Sequence, residues 1–271
     1  MNESLIKYLA GLLDADGSLS FNFFEDDKRP GRHFIKIRIS LAGSSAVDPF
    51  SFVENLPGIT GMGTTSRYGK DKQFITWTVI KRSDLEMLLP RLIKHMVIKA
   101  KHWQWLFDKW RDMRSENKTC SKEERDMLVK ECKASRIRNV GPIKPKNHPT
   151  WAWLAGYLDG DGCYTCRRNY HKVADKMQMH MRVSAVAHKN DSHVLSFLQN
   201  SFGGYINDHG QSENVYVWSR NLGVRDRSFA MNFLTKLVRH SRLKRHKIEQ
   251  MISFHHQQRL SVPAPAGEAT V

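Results

Sequence analysis

Four aspartates and two lysines stand out by type and spacing. Asp14 and Asp16 close an apolar segment near the start of the chain, and Asp159 and Asp161 close a similar one 145 residues later. A lysine follows each pair at one distance, since Asp16 to Lys99 and Asp161 to Lys244 are both 83 residues. An aspartate at the C-terminal end of a helix meets the negative end of the dipole, which is unfavourable unless a cation offsets it. Two carboxylates gathered beside helix-end carbonyls make a hard-oxygen site suited to magnesium. Set against a phosphodiester, such a site can activate water and stabilise the leaving oxygen. The competing reading is that these acids only terminate helices through Asp-Gly turns.

The elements that carry these residues repeat. Tyr8-Leu-Ala-Gly-Leu-Leu-Asp-Ala-Asp-Gly17 aligns without a gap on Trp153-Leu-Ala-Gly-Tyr-Leu-Asp-Gly-Asp-Gly162. The same offset returns where Lys94-His-Met-Val-Ile-Lys99 meets Arg239-His-Ser-Arg-Leu-Lys244, so the chain is an internal duplication. Period-two alternation predicts strands over 18–24, 33–41, 74–80, 163–168, 177–187 and 215–219. Short helices are expected over 49–56 and 193–202, ending near Gly58 and Gly203. Gly11 and Ala15, with Gly156 and Gly160, form small-residue stripes on the two motif helices. Such stripes allow close backbone approach, and each helix offers the other as partner. Leu9, Leu12 and Leu13, with Leu154, Tyr157 and Leu158, are left to fill each half's own core.

The resulting fold class is α+β, built from two pseudo-symmetric αββαββα units joined at a paired-helix interface. Residues 1–137 form the first repeat with an extra C-terminal helix, which opens at the capping-box spacing Ser121 to Glu124. Residues 138–150 form a Pro-rich linker, with Thr150 as N-cap of the next helix. Residues 151–262 form the second repeat, and 263–271 a disordered tail.

Composition narrows the function classes. The 271 residues carry a net charge of +16 and are 40% hydrophobic, enough for a core. Residues 151–271 hold 16 Lys/Arg and 9 Asp/Glu, a net +7, which leaves +9 for residues 1–150. Charge spread over both halves suggests a long face for a polyanion rather than one basic tail. No apolar run suits a membrane span and no signal-like segment opens the chain, so a soluble intracellular protein in a reducing compartment is expected. Four cysteines do not make a disulfide framework. Cys163 and Cys166 have a zinc-like spacing, but on a strand their thiols point to opposite faces, so zinc is not expected. His95 and His240 match between repeats and are read as packing or phosphate contacts.

The two motifs resemble the signature of LAGLIDADG homing endonucleases in the single-chain, two-repeat form. Leu9 to Gly17 departs from the nine-letter name at one position and Leu154 to Gly162 at three. The resemblance implies two antiparallel sheets that form a saddle over double-stranded DNA. It implies a monomeric enzyme of intron homing that breaks both strands of a long site and leaves 3′ overhangs. It implies magnesium as cofactor, with manganese able to substitute and calcium able to bind without cleavage. Asp16 and Asp161 then fall on the metal-ligand positions, joined by the carbonyls of Ala15 and Gly160. Lys99 and Lys244 fall on the basic positions that stabilise charge on the phosphate, while Asp14 and Asp159 buttress the helix ends. Some members carry a water-organising glutamine at the end of the second strand. Here Ala42 and Ala187 fall near that place, with Ser44, His188 and Lys189 as nearby polar groups.

Alternation leaves one face of each sheet polar. The DNA-contact candidates in the first repeat are Asn22, Lys28, Arg29, Arg32, Lys36, Arg38, Ser40, Arg67, Lys70 and Lys72. In the second they are Arg167, Arg168, Asn169, His171, Lys172, Gln178, His180, Arg182, Asn207, Arg220 and Arg225. Arg, Lys, Asn and Gln suit phosphates and base edges alike. The alternatives on the same scaffold are an intron RNA-splicing maturase and a non-cleaving DNA-binding protein. Retention of both acids and both lysines favours cleavage.

Overall fold

Apolar residues at every second position of the long strands turn one face of each sheet inward, and helices cover that face. The computed structural model describes residues 1–44, 51–115, 119–136, 149–171, 176–208, 214–223 and 226–260. The first repeat runs α1 (Glu3–Ala15), β1 (Gly17–Asp26), β2 (Arg29–Ser44), α2 (Ser51–Thr60), β3 (Thr64–Tyr68), β4 (Phe74–Val79) and α3 (Arg82–His95). It is followed by α4 (Ala100–Ser115) and α5 (Lys122–Ser135). The second repeat runs α6 (Trp151–Asp161), β5 (Gly162–His171), β6 (Lys176–His188), α7 (Ser192–Phe202), β7 (Tyr205–Asp208), β8 (Val215–Asn221), α8 (Arg227–Val238) and α9 (Arg245–Leu260). Among the described residues this gives two four-stranded antiparallel sheets, ordered β1-β2-β4-β3 and β5-β6-β8-β7.

In β2, Ile35, Ile37, Ile39 and Leu41 are buried, while Lys36 and Arg38 between them and Ala42 beyond them are exposed. Trp77 of β4 and Trp218 of β8 anchor the two cores, and their indole N–H groups donate to the carbonyls of Met62 and Gly203. Ser121 and Glu124 form the capping box that starts α5. Just before it, Cys120 exchanges two backbone hydrogen bonds with His33 and so ties α5 to β2. Thr150 caps α6 by accepting from the Trp153 N–H.

Two sequence readings need correction. The helix after β2 does not end near Gly58: α2 passes through it to Thr60, and Gly61 stops the helix at φ +72°. The register of the second strand is also offset by 144 rather than 145, because Gly17 pairs with Leu41 and Gly162 with Ala185. A one-residue slip turns a side chain to the other face. Ala42 therefore corresponds to Val186 and lies exposed, whereas Ala187 corresponds to Gly43 and is buried against the helices. Ser44 and His188 hold equivalent places. The expected tail (263–271) and most of the linker (138–150) lie outside the described residues, as does Pro49. No described helix is long and apolar enough to cross a membrane.

Candidate active site and nucleic-acid face

Close contact between α1 and α6 centres on two glycines. A Cβ added to Gly11 would lie 2.0 Å from the Trp153 carbonyl oxygen, and one added to Gly156 would lie 2.0 Å from that of Tyr8. Backbone touches backbone there, so only glycine fits. At the far end of the seam a Cβ on Gly160 would meet Ala15 Cβ at 2.4 Å and Asp16 Oδ2 at 2.9 Å. The ends of the two motifs thus meet, with Asp16 beside the turn that carries Asp161.

Asp14 and Asp159 point the other way and are buried. Asp14 accepts the backbone N–H groups of Val97 and Lys99, at 2.6 and 2.8 Å, and the indole N–H of Trp153 at 3.0 Å. Asp159 accepts the hydroxyls of Tyr8 and Ser241 and the N–H groups of Arg242, Leu243 and Lys244. Each acid therefore fixes the segment that delivers its own repeat's lysine and takes one hydrogen bond from the other repeat. Burial raises the Asp14 carboxyl above the ordinary range, against the pull of those N–H donors. The phenol of Tyr8 is also raised, first by burial and then by the Asp159 charge.

The lysines finish the helix ends. Lys99 Nζ donates to the carbonyls of Leu13, Ala15 and Gly17 at 3.1, 2.9 and 2.9 Å. Lys244 Nζ donates to the equivalent carbonyls of Leu158, Gly160 and Gly162. An ammonium has three donors, and here three meet carbonyls at the negative end of a helix dipole. Burial lowers the Lys244 pKa, while the nearby Asp159 and Asp16 charges oppose that shift. Asp16 keeps an exposed carboxylate, yet crowding by the helix ends raises its pKa; Lys244 and then Lys99 pull it down. The cations supply the charge that terminal acids on paired helices need.

Beyond Asp16 the polar sheet face opens. Asp16, Ser18, Arg38, Ser40, Ala42, Ser66, Tyr68, Thr76 and Thr78 line a shallow depression of about 430 Å³. Cross-strand pairs carry it outward, as Ser18–Ser40, Ser20–Arg38 and Asn22–Lys36. The second repeat matches them row for row with Cys163–Ser184, Thr165–Arg182 and Arg167–His180. Asn22 Nδ2 and Arg182 Nε are buried donors with no acceptor among the described residues.

Comparison with known proteins agrees with this geometry. No curated protein matches the chain in sequence. I-SmaMI bound to cleaved DNA superposes with a TM-score of 0.73 at 16% identity, covering 96% of this chain and 90% of that one. I-SmaMI on its uncleaved target in the presence of calcium ions gives 0.71 at 15% identity, covering 97% and 94%. I-AabMI bound to uncleaved DNA gives 0.70 at 15% identity, covering 96% and 92%. At such identities the likeness is one of fold. Residues 154–256 match the family model described as LAGLIDADG endonuclease. The sequence match to that family covers the second repeat, and the likeness of the whole chain is one of fold.

Several candidate contacts sit elsewhere than alternation suggested. Arg67 shares the row of Ile75, on the helix side of the sheet, where its guanidinium forks onto Glu54 of α2 at 2.8 Å. Arg220 pairs with Val183 two rows from Trp218–Ala185, hence on the same face, and it stacks over Phe229 at 4.8 Å and bonds Asp226. Neither belongs to the polar face. Arg29 pairs with Asp26 at the β1–β2 turn, and Arg32 approaches Glu124 at 3.8 Å. Lys28, Lys70 and Lys72 lie exposed in hairpin turns, and Asn207 is exposed on β7. Asn169, His171 and Gln178 hold polar-row positions of β5 and β6, whereas Arg168 holds the row of Met179. Lys172 and Arg225 lie outside the described residues. Of the matched histidines, His95 bonds Glu3 at 2.6 Å and His240 meets Ser4 at 3.3 Å, so both tie to the start of α1.

Sequence reasoning passed over the small hydroxyls Ser18, Ser66, Thr76 and Thr78 because it weighed charges and amides. The alternation of Phe74 to Val79 already placed the two threonines opposite Ile75 and Trp77. It also missed His102 and Arg136, which line a 230 Å³ recess with Lys99 and Ser18. His102 lies three residues past Lys99 in the first turn of α4, a nearness in sequence that could have flagged it.

Proposed function

We propose that the chain is a monomeric, site-specific DNA endonuclease of the homing type, making a magnesium-dependent double-strand break with 3′ overhangs. The observation that carries this reading is the meeting of Asp16 with the Gly160–Asp161 turn, between two basic sheet faces. The structural relatives support a DNA partner, since I-SmaMI and I-AabMI are bound to DNA. The α1–α6 seam lies within one chain, so no second copy is needed to complete it. The same reading takes 1–137 and 151–262 as the repeats and 138–150 as their linker.

The donor set fits a hard divalent cation. No cluster of three or more His, Cys, Asp or Glu occurs among the described residues, so the ligands reduce to two carboxylates and helix-end carbonyls. The Ala15 and Gly160 carbonyls each accept a lysine Nζ and retain a second lone pair. Asp16 and Asp161 with these carbonyls would hold magnesium, which when bound supplies Lewis acidity to phosphate and water. The chain's own residues do the rest. Lys99 and Lys244 fix the carbonyls and place positive charge where the phosphate gains negative charge. Lys36, Arg38, Arg167, His180 and Arg182, with Asn22 and Ser40, contact phosphates and base edges on the polar faces, and Asn169, His171 and Gln178 extend the second face. Lys28, Arg29, Arg32, Lys70, Lys72 and Asn207 reach the flanks.

Selection of cleaved duplexes from a randomised library tests the reading. Magnesium should yield paired nicks with 3′ overhangs, manganese should substitute, and calcium should permit binding without cleavage. Full cleavage by the Asp16→Asn/Asp161→Asn variant would overturn the metal assignment. Binding of intron RNA with no cleaved DNA would favour the maturase.

A further inference from the structure

Beyond Arg38 toward the turn, β2 loses its β4 neighbour, because β4 pairs only with Ile39 to Ser44. β1 and β2 continue as a two-stranded pair, bridged at its β2 edge by Cys120 opposite His33, and a two-stranded ribbon is a shape that a DNA major groove admits. Its polar face carries Ser20–Arg38 and Asn22–Lys36, and then Phe24–Phe34. The two phenylalanines are 48% and 43% exposed, on the same face as the cations and outside the core. Lys36 Nζ lies 4.6 Å over the Phe24 ring, so apolar surface and phosphate-seeking charge form one patch. Two of the three acids at the turn are engaged locally, as Glu25 accepts from the Gly31 N–H and Asp26 pairs with Arg29, while Asp27 is exposed at the tip. In the second repeat the same register row is Asn169–Gln178, two amide residues.

Exposed aromatic rings have no hydrogen-bond code, and the apolar group that a major groove displays is the thymine C5 methyl. We infer that Phe24 and Phe34 are specificity-determining residues that select thymine methyls in the outer part of the first repeat's half-site. This rests on the endonuclease reading above. An antiparallel strand rises about 3.4 Å per residue, close to one base-pair step. Phe24 is six residues beyond Ser18, which adjoins Asp16, so the selected thymines fall about six base pairs outward from that row. The equivalent register row of the second repeat holds Asn169 and Gln178 in place of the two phenylalanines, so the target is asymmetric there. It is more nearly symmetric where Arg38 and Arg182 hold matching rows.

The test uses the full chain and a duplex selected from the randomised library. Thymine should be enriched in that outer segment of one half-site. Replacing those thymines by deoxyuridine, which removes only the methyl, should weaken binding by wild-type protein about fourfold per methyl. Phe24→Asn/Phe34→Gln, which copies the second repeat's row, should bind thymine and uracil duplexes equally. Both side chains are exposed, so its thermal midpoint should match that of wild type. Equal wild-type affinity for the two duplexes overturns the methyl reading alone. Failure to select any DNA overturns it together with the endonuclease reading.

Discussion

Asp16 of the first motif and Asp159 of the second bear differently on folding. Asp16 has its pKa raised by desolvation, so in the absence of metal its charged form opposes folding. A carboxyl with a raised folded-state pKa binds its proton more tightly when folded, and stability falls as pH rises from its unfolded to its folded value. Asp16→Asn should therefore leave the metal-free thermal midpoint unchanged or higher while cleavage is lost. Divalent-ion affinity should rise with pH through the raised Asp16 value, measured by calorimetry on wild-type protein. Asp159 differs, since it accepts five hydrogen bonds from buried or part-buried donors. Asp159→Asn puts an amide donor among those donors and should cost roughly 3 kcal/mol, read as a lower denaturant midpoint. A midpoint for Asp159→Asn above that of Asp16→Asn would contradict this assignment.

At the level of elements, the helix seam depends on the absence of two side chains. Gly11→Ala or Gly156→Ala would drive a Cβ to 2.0 Å from a carbonyl oxygen of the facing helix, a clash that no rotamer relieves. Overpacking of this kind should destabilise by about 3 kcal/mol or more, and it should part Asp16 from the Gly160 turn. Gly58 offers the contrast: it lies inside α2 with open space where a Cβ would go. Gly58→Ala should raise stability by about 0.5–1 kcal/mol. Both are checked by urea denaturation at unchanged slope. If the seam glycines tolerate alanine, the close approach of α1 and α6 is wrong.

Over the whole molecule, the +16 charge acts through whichever cations reach the polar faces. Arg38 and Arg182 hold matching rows there, whereas Arg67 and Arg220 are turned to the helices and paired with Glu54 and Asp226. Arg38→Ala and Arg182→Ala should each weaken DNA binding about tenfold or more and relax selection locally. Arg67→Ala and Arg220→Ala should leave both affinity and its salt dependence near wild type. Titration of labelled duplex at several salt concentrations distinguishes the two pairs. An equal loss for all four would mean that net charge rather than facing governs binding.

The amino-acid sequence alone determined the duplication, the α+β plan and the matched Asp-to-Lys spacing, because these follow from local periodicity and identical offsets. It also placed the capping box at Ser121, a signal contained within four residues. Tertiary structure decided what spacing does not encode. β3 reads Thr64 to Tyr68 with no apolar alternation, so the side taken by Arg67 depended on its pairing with β4. Arg220 lies near the end of a strand whose residues Val215 to Trp218 are apolar on both faces, and only the burial of Trp218 shows which face is core. The one-residue difference between β2 and β6 separated Ala42 from Ala187, since register is set by pairing across space. Lys99 and Lys244 were legible as partners of the aspartates, but their grip on the helix-end carbonyls required segments 83 residues apart to fold together. Local chemistry is written along the chain, whereas facing and register come from long-range contacts.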